Sequence, residues 1–237
     1  MDQGYRLSIQ QTRLWQNRNL IPNAIAAFKF EGDLCSEKLR QAVHCVVEKY
    51  EIFHTHFRQV EGIAVPLQMI EQPEMHWLEP KSVNKAGGET LSSAELSALF
   101  NELDVSERPA NAIAGQWISI SEQQHQLLLL FPLLSMDVFS VNLFATELEE
   151  AYRHLTQNGT CDLGTEPLAY IDASEWNYEF EASDEAAFGK QFWKKEAHQW
   201  IHHQPIGLEK ANSGITNSTA YEAISVKFDP ELVQQIN

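Results

Sequence analysis

The histidines are the residues best placed to do proton chemistry, and their neighbours decide what each could do. His54 and His56 lie two apart in Phe53-His54-Thr55-His56-Phe57, and His202-His203 form a doublet. An imidazole titrates near neutral pH, so in a pocket it can take or give a proton during a reaction. His54 and His56 are expected in one strand, with only one of them facing the interior. His54 is the better substitute base, while His202-His203 reads as a solvated surface pair. Asp137 and Ser140 stand three apart just before an apolar-periodic segment, the spacing of a helix cap. Ser135 has neither a GxSxG elbow nor an adjacent base, which argues against a serine hydrolase. No carboxylate or cysteine stands at ligand spacing from these histidines, so no metal site is expected.

Charge and cysteine usage narrow the partners. The formal charge is 17 − 33 = −16 over 237 residues, with a sequence pI near 4.9. So acidic a surface repels phosphate backbones and anionic lipid, and neither nucleic acid nor membrane is an expected partner. Keeping the chain in solution is the ordinary reading of that charge. Cys35, Cys45 and Cys161 show no CxxC spacing, which fits free thiols in a reducing, cytoplasmic setting. The opening Met1-Asp2-Gln3-Gly4-Tyr5 carries no apolar signal core, and no window reaches the ~18 apolar residues of a bilayer span.

The elements that must position these groups follow from periodicity. Ser8 is placed to cap a helix running to about Asn19, with Gln11 at the capping-box position. Residues 24–31 predict a strand ending at Gly32-Asp33. Ser36 is placed to cap a helix with Leu39, Val43, Val46, Val47 and Tyr50 in one stripe. Residues 52–60 and 63–70 predict a hairpin about Glu61-Gly62. Pro73, Pro80, Gly87-Gly88 and Pro109 break up the next stretch, where only residues 93–103 look helical. Strands are expected over 113–121 and 125–133, then an amphipathic helix over 141–155 through Phe144, Leu148, Ala151 and Tyr152. A loop with Gly159, Gly164 and Pro167 leads to residues 170–176. A helix over 184–201, a polar stretch at 211–219, a strand over 221–228 and a helical start over 230–236 complete the chain. Mixed helices and locally consecutive strands imply an α/β (α+β) fold, a two-layer sandwich.

Four segments then carry a resemblance: Ser8-Ile9-Gln10-Gln11-Thr12-Arg13-Leu14-Trp15; Glu48-Lys49-Tyr50-Glu51-Ile52-Phe53-His54-Thr55-His56-Phe57; the 127–134 run into Ser135-Met136-Asp137-Val138-Phe139-Ser140; and Tyr170-Ile171-Asp172-Ala173-Ser174-Glu175-Trp176. In this order they resemble the opening motifs of condensation domains of non-ribosomal peptide synthetases, in the chloramphenicol-acetyltransferase-like superfamily. The first is similar to SxAQxR(L/M)(W/Y), matching at Ser8, Gln11, Arg13, Leu14 and Trp15. The second is similar to RHExLRTxF, keeping Glu51, Thr55 and Phe57 and departing at Lys49, Tyr50, Phe53 and His54. The fourth is similar to YxD(Y/F)(A/S)xW, keeping Tyr170, Asp172, Ser174 and Trp176. Trp193 with its basic helix, and the 224–228 strand, also sit where the family has such elements.

The resemblance implies the N-terminal lobe of a domain about twice as long, with its core over residues 1–176 and residues 177–237 extending towards a C-terminal lobe missing from this chain. The last residues fall inside a helical pattern, which suggests a truncation. In relatives the reaction tunnel lies between the lobes and receives the phosphopantetheine arms of carrier proteins; no cofactor is expected to bind directly. The third segment matches HHxxxDG only in part: Pro132 and Leu133 stand at the histidine positions and Val138 at the glycine. Leu133 has no proton acceptor, and a lost general base costs ~10²–10⁴ in rate. Nor is the DxxxxD pattern of heterocyclisation domains present, since Pro132 takes its first Asp position. The doublet His202-His203 does not replace the motif, because Gly207 stands at its Asp position. Asp137 and Ser140 remain as the motif remnant. In relatives the motif Asp pairs with the Arg of the second segment, here His54, so an Asp137–His54 pair is one expectation. Asp137 as a simple helix cap is the other.

These readings imply a degenerate condensation-like domain of a peptide or hybrid polyketide synthetase. It is expected to act as a docking or recruitment scaffold for an acyl or peptidyl carrier protein or a neighbouring synthetase domain. The alternatives are acyl or peptidyl transfer without the histidine, and a half-domain that completes its fold with another chain. Lys190, Lys194 and Lys195 form a local basic patch for carrier docking, or a solvated helix face.

Overall fold

A computed structural model describes residues 4–16, 23–83, 91–104 and 112–200, with side chains to residue 197. In chain order its elements are β1 (Gly4–Arg6), α1 (Ile9–Gln16), β2 (Asn23–Glu31), α2 (Ser36–Lys49), β3 (Thr55–Arg58), β4 (Leu67–Ile70), β5 (Met75–Trp77), β6 (Lys81–Ser82), α3 (Ser93–Asp104), β7 (Ile113–Ser119), β8 (Gln124–Pro132), α4 (Val138–Gln157), α5 (Tyr170–Ala182) and α6 (Glu185–Trp200). The expected 221–228 strand, the 230–236 helix, His202-His203 and the end of the first helix lie outside the described residues.

The main sheet runs β2-β8-β7-β5, with β6 also on β7. β8 is antiparallel to β2, from Asn23↔Pro132 to Glu31↔Gln124, and antiparallel to β7. β5 and β6 are parallel to β7. Successive β8 side chains face opposite ways. Leu127, Leu129 and Phe131 meet α2 and α4 through Val43, Val47, Phe144 and Leu148. Leu128 and Leu130 meet Phe100 and Leu103 of α3. Cover on both faces explains why the strand reads as an unbroken apolar run and not an alternating one. The sheet with α2 and α4 forms the expected α+β sandwich, and α3 closes part of the other face.

A smaller sheet, β1-β4-β3, carries α1 beside the main core. The β3–β4 hairpin pairs Thr55 with Ile70 and Arg58 with Leu67. Gly62 takes φ +83° in its connection, a conformation that any Cβ would strain.

Several expected boundaries shift. Residues 51–54 form a 3-10 turn, so the strand starts at Thr55 and not at Ile52. The turn drives the Phe53 ring into the core immediately after α2, against Phe131 at 5.7 Å and Phe144 at 5.9 Å. His54 and His56 therefore do not share a strand. Had they done so, two positions apart, they would have pointed to the same face and not to opposite ones. Cys35 and not Ser36 is the N-cap of α2, without a side-chain cap bond. Helix α4 starts at Val138, three residues before its apolar stripe. Strands β5 and β6, three and two residues long, escaped sequence reading because such lengths carry no period. α5 buries Ser174 alone among its residues, so it shows no apolar stripe by which to be found.

Candidate functional site

The site turn is built by the end of β8 and the start of α4. Pro132 closes β8 opposite Asn23, where a missing N–H costs little because the ladder ends there. Leu133–Ser135 make one 3-10 turn, Met136 is buried, and Asp137 caps α4. Asp137 Oδ1 accepts from the Ser140 backbone N–H at 2.8 Å and from the Ser140 hydroxyl at 2.6 Å. The Ser140 hydroxyl, then its N–H, hold the Asp137 carboxyl below the usual aspartate value. An anion at the positive end of a 20-residue helix is also favoured by the helix dipole.

The expected Asp137–His54 pair is not formed. His54 Nε2 donates to the Glu48 carbonyl at 3.1 Å, with the Glu48 carboxylate 3.9 Å away. The 3-10 turn that buries Phe53 aims His54 back along α2, while Asp137 spends its oxygen on its own helix. The cap is the role the structure gives to Asp137. His56 likewise faces Gln72 O, at 3.2 Å.

The turn is held from the opposite side by α1. Ser8 and Gln11 form the expected capping box: Gln11 Oε1 accepts from Ser8 N–H at 2.9 Å, and Ser8 Oγ accepts from Gln11 N–H at 3.1 Å. Gln11 is buried, and its amide nitrogen donates to Leu134 O and to Gln68 Oε1, each at 3.1 Å. Gln68 in turn donates to Arg6 O at 2.8 Å. One amide thus ties α1, the small sheet and the site turn together. Sequence reading assigned Gln11 only its capping role, since nothing local signals bonds across 57 and 123 positions.

The fourth segment packs on the first. Tyr170 OH lies 2.9 Å from Ser8 Oγ, and Tyr178 OH donates to Leu7 O at 2.8 Å. Arg6 makes a two-pronged ion pair with Glu175 (2.7 and 2.9 Å) and stacks over the Tyr178 ring at 3.7 Å. Trp176 stays largely exposed, stacked on Phe180 at 5.9 Å. Arg13 is exposed and Trp15 half-buried on α1.

The second segment supplies a polar brace. Lys49 Nζ binds both Glu147 oxygens, at 2.8 and 2.9 Å, and Leu163 O at 2.8 Å. Tyr50 OH donates to Glu147 at 3.1 Å, and burial, then that carboxylate, push the Tyr50 phenol up to about 12. Thr55 is buried and donates to Glu51 O at 3.1 Å. Burial raises the Glu51 carboxyl above its usual value, and Asp172 raises it further. Glu51 Oε1 is buried with no hydrogen-bond partner. The negative charges of Asp172 and Glu166 therefore add to burial in favouring the protonated Glu51 carboxyl.

An open cavity of about 120 Å³ lies over the turn. Leu14, Ile52, Leu133 and Met136 supply apolar wall, and Gln10, Asp137, Ser140 and Tyr170 supply polar atoms. A second recess of about 520 Å³ runs past Ser8, Gln10, Arg13, Tyr170 and Asn177. Tyr170 borders both. Among the described residues no imidazole lines either cavity.

Comparison with known proteins identifies the family and the fold. The family model described as "Condensation domain" matches residues 1–237. One of the linear gramicidin synthase proteins of Brevibacillus parabrevis is 27% identical over 205 residues, 81% of this chain and 3% of that synthase. One of the plipastatin synthase proteins of Bacillus subtilis is 23% identical over 215 residues, 91% of this chain and 6% of that synthase. Among solved structures, the epimerization domain from the third module of tyrocidine synthetase B has TM-score 0.69 at 15% identity, covering 87% of this chain and 47% of that one. The starter condensation domain of rhizomide synthetase has TM-score 0.64 at 17% identity, covering 84% and 48%. The chain thus spans about half the length of the solved domains it matches and a small part of each synthase. Because that family model spans the whole chain and the fold matches solved domains of the same kind, this chain belongs to the condensation-domain family of non-ribosomal peptide synthetases.

Proposed function

We propose that the chain is the N-terminal lobe of a condensation-type domain that has given up histidine catalysis and serves as a docking or recruitment scaffold in a peptide-assembling synthetase. The observation that carries this reading is Leu133. It lines the cavity over the site turn, where the family's second histidine position falls, and it offers no proton acceptor. The neighbouring Pro132 is buried at the end of β8 and cannot supply one either. A missing base raises the barrier by roughly 3–5 kcal/mol.

The surfaces support partner contact. Val138, Phe139 and Leu143 stand 77%, 83% and 51% exposed beside the turn, where a C-terminal lobe would cover them. On α6, exposed Phe188, Phe192 and Trp193 lie among exposed Lys190, Lys194 and Lys195. Aromatic and basic groups together suit an acidic carrier protein, which the rest of this acidic chain would repel. The recess along Ser8, Tyr170 and Asn177 suits a carrier's phosphopantetheine arm, since it offers hydroxyl and amide groups for the arm's amides.

A second reading is favoured by the cavity itself. It has a polar lip of Gln10, Asp137, Ser140 and Tyr170. A thioester and an amine held there could react through proximity alone. One assay separates the two. The full parent synthetase is incubated with loaded donor and acceptor carrier proteins. Absence of condensed product, with the carrier retained on a pull-down and released by Lys190→Glu/Lys194→Glu, supports the scaffold. Product that disappears when Ser140→Trp fills the cavity overturns it.

A further inference from the structure

A cavity of about 110 Å³ lies away from the site turn, between the first turns of α2 and the β5–β7 edge of the main sheet. Trp77, Trp117, Leu78 and Leu127 line its interior, and the exposed residues Glu37 and Arg40 stand at its mouth. The cavity over the site turn is met beyond the other end of α2, where Ile52 lines it. The 14 residues of the helix put about 20 Å between the two.

Neighbours hold both indoles in place. The Trp77 ring lies against Gly115, where a Cβ would come within 2.5 Å of it. Glycine at this strand position is what lets the ring settle over β7. Trp77 Nε1 donates to His44 Nε2 at 3.4 Å. Burial, then the Arg40 charge, lower the His44 pKa, so the imidazole is uncharged at neutral pH and Nε2 can accept. Trp117 stacks on His125 at 4.9 Å and donates to Ser119 Oγ at 3.1 Å. With both N–H groups satisfied, the two rings offer the cavity apolar surface.

The mouth carries both signs of charge. Glu37 and Arg40 are three apart, on one face of α2. Arg40 lies over the Trp77 ring at 5.1 Å. Among the described residues neither side chain makes an ion pair.

We propose that this cavity binds a free α-amino acid with a branched aliphatic side chain. An engineered apolar cavity of ~150 Å³ holds a benzene ring, and this smaller one suits an isobutyl group. Arg40 takes the carboxylate in charge-assisted hydrogen bonds, and Glu37 takes the ammonium. The formal charge of −16 decides against simpler ligands. It repels a bare carboxylate, and Arg40 repels a bare amine, whereas a zwitterion carries no net charge. The site is separate from the turn at Asp137, so it stands whether or not the domain catalyses a reaction.

The test is a titration of the intact, isotope-labelled chain by nuclear magnetic resonance, read at the indole N–H signals of its 6 tryptophans. Trp77→Phe and Trp117→Phe assign the two signals of interest. L-Leucine is expected to shift those two saturably, at millimolar concentration or below, and to leave Trp15 and Trp176 unmoved. Glycine lacks the side chain, 4-methylpentanoate the ammonium and 3-methylbutylamine the carboxylate. Each should bind roughly tenfold more weakly than leucine, or not at all. Arg40→Gln, a change at an exposed position, should weaken leucine by a similar factor and remove its advantage over 3-methylbutylamine. No saturable shift at Trp77 and Trp117 overturns the proposal. Equal binding of either singly charged analogue, or undiminished binding by Arg40→Gln, overturns it too. If the tryptophan variants fail to fold, the analogue series on the wild type and the Arg40→Gln titration still decide.

Discussion

Tyr170 OH and Ser8 Oγ, 162 positions apart, hydrogen-bond at 2.9 Å and join the first helix to the fifth at the rim of the site. Because Ser8 Oγ also accepts from Gln11 N–H, the two partners are not equivalent. Tyr170→Phe removes one part-buried bond and is expected to cost about 0.5–1.5 kcal/mol. Ser8→Ala removes the cap as well and is expected to cost more, about 1–3 kcal/mol. Urea unfolding of both variants checks the order.

Gln11 offers a sharper test. Gln11→Leu has similar bulk but leaves Leu134 O, Gln68 Oε1 and Ser8 N–H without their partner. The expected loss is about 2–4 kcal/mol, because each buried orphan retains its desolvation cost. A loss below that of Tyr170→Phe in the same urea series would mean water replaces the amide.

The brace at the other end of α2 should behave as a coupled unit. The Lys49 and Glu147 side chains are only 14% and 15% exposed, which is where ion pairs cease to be negligible. A double-mutant cycle of Lys49→Met and Glu147→Gln is expected to show a coupling of about 1–3 kcal/mol. Either single change leaves the other group's charge buried without its partner, so each alone is expected to cost more than the double change.

Two carboxylates should give opposite pH signatures. The folded Glu51 holds its proton more tightly than the unfolded chain, whose value is near 4.5. Its contribution to stability therefore falls as pH rises from about that value through the higher folded one. Glu51→Gln removes this penalty, so its melting temperature is expected to exceed the wild type's at pH 7 and to match it near the acid end. Asp137 is depressed below 3.8, so its stabilisation is present above that value and lost as pH falls through the folded one. Asp137→Ala is expected to cost about 1 kcal/mol at neutral pH and less in acid. Thermal melts across pH, one variant against the other, read both signs.

Much of the frame was legible because the signals are local. The Ser8/Gln11 capping box needs a spacing of three, the α2 stripe a period near 3.6, and β8 an apolar run, and each was read at its place. The 3-10 turn at residues 51–54 was not legible, because Phe53 is pulled inward by Phe131 and Phe144, far away in sequence. The same turn removed the expected Asp137–His54 pair.

By itself the sequence determined the family, the longer helices and strands and the residues at the site turn: Pro132, Leu133 and Asp137. Spacing and residue type are properties of the chain before it folds, and they sufficed for that. Only the tertiary structure decided partners. It turned Asp137 onto Ser140, set Gln11 between Leu134 and Gln68, joined Tyr170 to Ser8, and closed Lys49 on Glu147. Each of these depends on how separate elements pack, and a hydrogen bond formed over a few ångströms in space leaves no periodic trace along the chain.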